Sequence, residues 1–220
     1  MEHTIKPRVK ICCIGSIAEA WMAVGRGASA VGLVSAMPSG PGVIDEDLIA
    51  HIAAVVPPGV SSFLLTSRQD AASIIAQQRR CGVNTLQIVD RLGSGRCADL
   101  RAAMPGIALV QVIHVAGEAA LDEALAVAPE VDAILLDSGN PSLAVKELGG
   151  TGRTHNWRIS RRIREAVNVP IFLAGGLNAD NVAEAIAQVG PFGVDVCSGV
   201  RTNGRLDEQK LAKFFAQVVG

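Results

Sequence analysis

The sequence carries almost no surplus charge, no long apolar run and no paired cysteines, and each absence closes off a class of protein. Its 220 residues include 20 Lys and Arg against 21 Asp and Glu, a formal net charge of −1. A nucleic-acid surface needs a basic excess that is missing, so no nucleic-acid partner is expected. No apolar stretch approaches the roughly 18 residues of a bilayer span, so none is expected in a membrane. The opening MEHTIKPRVK has no apolar h-region, and no secretory leader is expected. The five cysteines (Cys12, Cys13, Cys81, Cys97 and Cys197) are odd in number and form no C-x-x-C pair. That suits neither a disulfide framework nor a zinc site. Reduced thiols in a cytoplasmic protein without a metal are the expectation.

What is present is core material. Hydrophobic residues make up 49% of the chain, enough for a large buried interior. Short runs rich in Val, Ile and Leu alternate with stretches of helical period. The runs Arg8–Ile14, Ala30–Ser35, Ser61–Thr66, Thr85–Val89, Leu109–His114, Ala133–Asp137, Pro170–Ala174 and Gly193–Cys197 predict strands. They are apolar throughout, as in parallel strands covered on both faces. Helical period marks Ile17–Gly25, Glu46–Val55, Asp70–Cys81, Ala98–Ala103, Glu118–Ala126, Arg158–Val167, Asn181–Val189 and Leu206–Val218. Eight such repeats, with no linker rich in Pro, Ser or charge, predict an α/β fold: a single (β/α)8 TIM barrel over residues 1–220. A doubly wound open sheet is the alternative. Gly25-Arg-Gly27 follows a helical stretch rather than a strand, so it fails as a dinucleotide fingerprint.

In a barrel the chemistry sits past the C-terminal ends of the strands. Gly175-Gly176 follows the seventh strand and Ser198-Gly199 the eighth, where barrels often bind phosphate through backbone N–H groups. Asn178-Ala-Asp180 suits a helix start. Gly149-Gly-Thr-Gly152 lies in the long connection Ser138–His155, which has the length of a lid or binding loop.

Two strand ends carry groups able to move protons. Asp137 closes VDAILLD, where burial under loops raises a carboxyl's pKa toward that of a general acid. Cys12 closes the first strand, and a thiol acts as a base when nearby positive charge favours its thiolate. Lys10 shares strand parity with Cys12 and is the candidate charge. The same parity turns Cys13 to the outer packing face. Asp195, inside a strand, is expected to brace its neighbours, Trp21 to lie in the core, and His155 to be a loop residue. His114 ends the fifth strand and points to the mouth. A Schiff-base enzyme needs a lysine late in a strand, and of the five lysines only Lys10 lies in a strand at all.

Taken together these endings resemble the phosphoribosylanthranilate isomerase family of tryptophan biosynthesis. The matching pieces are Lys10-Ile-Cys12, Leu135-Leu-Asp137, Gly149-Gly-Thr-Gly152 with Trp157 after it, Ala174-Gly-Gly-Leu-Asn-Ala-Asp-Asn-Val182 and Gly193-Val-Asp-Val-Cys-Ser-Gly-Val200. The resemblance implies a cofactor-free Amadori rearrangement of an N-(5-phosphoribosyl) arylamine, its only partner a small phosphoribosyl substrate, in a monomer or homodimer. It implies Asp137 as general acid on the ring oxygen and Cys12 as general base on the C2′ proton. The phosphate is expected on Gly175, Gly176, Ser198 and Gly199, with Lys10, His114, Gly150 and Gly152 also touching substrate. A paralogous isomerase on another phosphoribosyl amine, or a non-catalytic sugar-phosphate-binding barrel, are the alternatives.

The chain also departs from the family pattern. Cys13 stands where the family has glycine, and Pro41 where a Ser-x-Arg arginine is expected to hold the anthranilate carboxylate. Gln87-Ile-Val-Asp90 replaces a Gln-Leu-His-Gly, Gln111 and His114 stand on a strand that commonly carries Lys and Arg, and His155-Asn156 replaces Phe-Asp.

Overall fold

Eight parallel strands hydrogen-bond in sequence order and close on themselves, β8 pairing back onto β1. The computed structural model describes residues 6–140, 143, 145–150 and 152–219. The strands are β1 Arg8–Ile11, β2 Ala30–Val34, β3 Ser61–Thr66, β4 Thr85–Ile88, β5 Ala108–His114, β6 Ala133–Asp137, β7 Ile171–Leu173 and β8 Gly193–Val196. The helices are α1 Ile17–Gly25, α2 Glu46–Val55, α3 Ala71–Cys81, α4 Cys97–Ala103, α5 Ala119–Val127, α6 Trp157–Ala166, α7 Val182–Val189 and α8 Glu208–Val219. A hairpin, β9 Arg201–Thr202 with β10 Arg205–Leu206, precedes α8. The closed order excludes the open sheet. None of the described helices is long and apolar enough to cross a membrane.

Local sequence explains the punctuation. Asp45 and Asp70 cap α2 and α3 by accepting the N–H of Leu48 (2.7 Å) and Ser73 (2.8 Å). Asn156 Oδ1 accepts Arg158 N–H at 3.0 Å and opens α6. The Asn178–Asp180 segment holds a turn instead of capping: Asn178 Oδ1 accepts Asp180 N–H, and Asn181 Oδ1 accepts Asn178 N–H.

Period 2 then divides the core in two. Ile134 and Leu136 of β6 face the helices, whereas Ala133, Leu135 and Asp137 face the barrel interior. On α6, Ile159 and Ile163 are buried one turn apart against the strands, each contributing about 1.5–3 kcal/mol by leaving water. α1 turns a different face inward from the one its hydrophobicity suggests. Its buried residues are the small Ala20 and Ala23, and Trp21 is 49% exposed, so the expected core position of Trp21 is corrected.

Beneath the mouth the interior is filled by Phe63 and Phe172, which meet edge to face at 5.9 Å, and by one buried ion pair. Lys10 Nζ bonds Asp195 Oδ2 at 2.9 Å and lies over the Phe63 ring. Asp195 is thus the expected brace. The pairing is obligatory, because either charge left alone there would cost several kcal/mol.

Candidate active site

The C-terminal ends of the strands surround an open mouth. Cys12, Asp137, Gly150, Gly152, Gly175, Gly176 and Ser198 all line it, so most of the site residues expected from sequence converge. Gly199 stands just behind the wall. A side chain on it would run into Leu177 O and Asn178, so glycine is what lets the loops after β7 and β8 touch. Among the described residues the N–H groups of Gly175, Gly176, Ser198 and Gly199 make no hydrogen bond, which leaves donors at the rim for an anion.

Asp137 enters this mouth at the end of β6 and is 8% exposed. Its Oδ1 accepts Ser138 N–H at 2.7 Å, fixing the carboxyl plane. Its Oδ2 faces Gly149, where a Cβ would come within 2.6 Å; the φ of +127° there is also one that L side chains rarely adopt. The glycine cluster of the long loop therefore lies directly on the acid. Thr151 of that cluster is outside the described residues.

Cys12 follows β1, its N–H bonded to Val196 O at 2.9 Å. Gly32 of β2 makes room for two side chains: Cys12 Sγ and Lys10 Nζ lie 2.9 and 3.0 Å from where a Cβ on Gly32 would stand. The shared parity of Lys10 and Cys12 is thereby realised. Burial alone would lower the Lys10 pKa, but Asp195 and, to a smaller degree, Cys12 raise it, so the ammonium stays charged beneath the thiol. Lys10 itself is wholly buried under the floor and does not line the mouth, which corrects its expected contact with substrate.

Two further expectations are corrected. Cys13 is not on the outer face: it lines the mouth beside Cys12. Strand pairing stops at Ile11, and Cys13 has φ +61°, a left-handed turn that swings its side chain back inward. Arg201 holds this turn, donating from Nη2 to the carbonyls of Cys12 (3.2 Å) and Cys13 (2.5 Å) and from Nη1 to Glu19 at 3.1 Å. Against the upward push of burial, hydrogen bonds from Arg201, Leu206 N–H and Gly15 N–H keep the Glu19 carboxyl below its ordinary range. His114 lies off the mouth. Its Nε2 meets Val89 O at 3.0 Å, and it lines a neighbouring recess with Asp90 and Lys146.

Sequence reasoning missed several groups. Gln87 reaches the mouth, as does Asp195 beyond its expected bracing role, and each has one buried oxygen without a partner. Cys197 lines it too, its Sγ 2.7 Å from Cys13 Sγ. That hydrogen bond pulls the Cys197 pKa down, against burial and with help from Arg201, while hydrogen bonds to Cys12 and Cys197 and then burial raise that of Cys13. His155 is largely buried, its Nε2 2.7 Å from Ser160 Oγ, and burial pushes its pKa down to about 4.

The loop after β6 is tied across the mouth. Ser39 Oγ donates to Lys146 O at 2.6 Å, Lys146 Nζ bonds Asp90 Oδ2 at 2.5 Å, and Arg153 pairs with Glu147. No Lys, Arg or His lines the mouth among the described residues. No group of three or more His, Cys, Asp or Glu among them is arranged to hold a metal ion.

Residues 9–217 match the family described as N-(5'phosphoribosyl)anthranilate (PRA) isomerase. This chain belongs to that family. It is 36% identical over 209 residues to N-(5'-phosphoribosyl)anthranilate isomerase 2 of Methanosarcina mazei, covering 94% of this chain and 92% of that one. It is 36% identical over 211 residues to the Halorubrum lacusprofundi enzyme, covering 95% of both. The crystal structure of the Thermotoga maritima isomerase superposes with a TM-score of 0.80 at 28% identity, over 97% of this chain and 98% of the other. A phosphoribosyl anthranilate isomerase bound to reduced 1-(o-carboxyphenylamino)-1-deoxyribulose 5-phosphate gives 0.77 at 26% identity, over the same shares. The departures in this family member therefore sit inside a shared barrel, some at the rim, as Cys13 and Pro41, and some within its strands, as Gln111 of β5.

Proposed function

We propose that this chain isomerises N-(5'-phosphoribosyl)anthranilate to 1-(o-carboxyphenylamino)-1-deoxyribulose 5-phosphate, without a cofactor. The observation that carries the reading is the convergence of one carboxyl, Asp137, and one thiol, Cys12, on a single mouth with free N–H donors at its rim. Ring opening needs a proton on the furanose oxygen, and Asp137 supplies it, giving a protonated Schiff base between C1′ and the amine. Cys12 then removes the C2′ proton, and the enolamine that forms tautomerises to the 1-deoxyribulose product. The Lys10 ammonium and the Cys12 sulfur share the space that Gly32 leaves open, so a fixed positive charge lies beside the base. Gly175, Gly176, Ser198 and Gly199 hold the phosphate through backbone N–H groups.

The acid end of the substrate needs a cation, because a carboxylate leaving water needs charge-assisted donors. Pro41 offers none. We assign Lys146, which stands outside the mouth in the neighbouring recess with its backbone pinned to Ser39 of the rim; its ammonium, paired with Asp90 in the free protein, must turn toward the mouth to meet the carboxylate. Purified protein should consume the fluorescence of N-(5'-phosphoribosyl)anthranilate. Folded protein that binds phosphate but leaves that fluorescence unchanged would favour the non-catalytic barrel.

A further inference from the structure

We propose that Cys13 and Cys197 are an oxidisable dithiol that closes to a disulfide at the mouth by reaction with a hydroperoxide, sparing Cys12 and reversibly arresting turnover. The two thiols come from chain segments 184 residues apart and meet because β1 and β8 are neighbours in the closed barrel. Their sulfurs stand 2.7 Å apart, already most of the way to the ~2.0 Å of a disulfide. Access favours Cys197 as the sulfur attacked first. It is half-buried, whereas Cys12 and Cys13 are each 6% exposed. Both sulfurs of the pair border a second recess with exposed Pro41, Ser198 and Gly204, which Cys12 does not line, so an oxidant reaches the pair without entering past the long loop. The Arg201 guanidinium adds positive charge beside it, which favours its thiolate. The remaining thiols lie elsewhere: Cys81 and Cys97 are buried among the helices, and burial pushes Cys81 up to about 11.

The chemistry balances with two electrons. The Cys197 thiolate attacks the terminal peroxide oxygen; an S–O bond forms, the O–O bond breaks, and the alcohol or water leaves with a proton. Cys13 sulfur then attacks the resulting sulfenic acid; the S–S bond forms, the S–O bond breaks, and hydroxide leaves as water with the Cys13 proton. The dithiol loses two electrons and the peroxide gains them.

Closure must move one side, and packing decides which. Gly42 rests directly on Cys13, leaving no room there even for a methyl group. Cys197 is therefore the mobile partner, and it carries Ser198 and the phosphate rim with it.

The test treats the whole protein with a few equivalents of hydrogen peroxide, blocks free thiols by alkylation under denaturing conditions, and maps peptides without reduction. A linked Cys13–Cys197 peptide, with Cys12, Cys81 and Cys97 alkylated, is the expected result. A sulfinic Cys12 formed first, or a bridge that includes Cys12, overturns the proposal. The activity arm rests on the isomerase reading: turnover should fall at least tenfold and return with dithiothreitol. Cys197→Ser, compared with its own untreated rate, should resist the same treatment, whereas Cys13→Ser should form no linked peptide and should carry sulfenic or sulfinic oxygen on Cys197 in the map. Loss in Cys197→Ser as fast as in the parent refutes the switch. The peptide map needs no turnover, so it remains decisive even if the isomerase reading fails.

Discussion

Replacing His155 with phenylalanine should remove a defined part of the acid sensitivity of this fold. Burial lowers the imidazole pKa from 6.5 to about 4, with Asp137 pulling the other way. In the unfolded chain the ring takes up a proton near pH 6.5; in the folded chain it does so only near pH 4. Between those values the unfolded state binds more protons, so stability falls as the pH falls. At 1.36 kcal/mol per pKa unit, going from pH 7 to pH 5 costs the folded state about 2 kcal/mol through this one ring. Urea unfolding of the parent and His155→Phe at both pH values isolates that share, because every other titration is common to the two. The parent should lose about 2 kcal/mol more than the variant. Parallel losses would show that His155 is protonated in the folded protein and that burial does not govern it.

Other consequences follow from single contacts. Gly149→Ala puts a methyl group 2.6 Å from Asp137 Oδ2 at a φ of +127°, so kcat should fall by a hundredfold or more with the fold kept, as judged by circular dichroism; unchanged kcat would place the acid elsewhere. Lys146→Met removes the assigned counter-ion of the substrate carboxylate, worth about 1.5–3 kcal/mol, so KM should rise at least tenfold with kcat little altered. An unaltered KM would remove Lys146 from recognition. Lys10→Met strands the buried Asp195 and should cost about 3–5 kcal/mol in denaturant unfolding, with much of the loss recovered in Lys10→Met/Asp195→Asn. No recovery in the double variant would mean that packing, not charge, is what Lys10 provides.

Much of this was legible in the sequence because the signals were local. Apolar runs such as Ala133–Asp137 fixed strand identity, and period 2 placed Asp137 and Cys12 inward without further information. Cys13 was not legible for a specific reason: alternation was carried past Ile11, where pairing had stopped and the backbone turned left-handed. Arg201, which holds that turn, is 188 residues away in sequence, and nothing local signals it. The Cys13–Cys197 contact was hidden in the same way, since only barrel closure brings the first and last strands together. Trp21 misled because α1 buries its alanines and leaves its largest side chain outside. His155 reads as a loop residue in any local window, and its burial depends on the long loop folding back over the barrel.

The central claim is that Asp137 and Cys12 divide one proton-transfer sequence between them. Steady-state kinetics of N-(5'-phosphoribosyl)anthranilate consumption by the parent, Asp137→Asn and Cys12→Ser test it most directly. Each substitution should lower kcat by at least a hundredfold while KM stays within a few-fold, because neither group holds the phosphate or the aromatic acid. Near-parental kcat in either variant, or a loss confined to KM, would contradict the account.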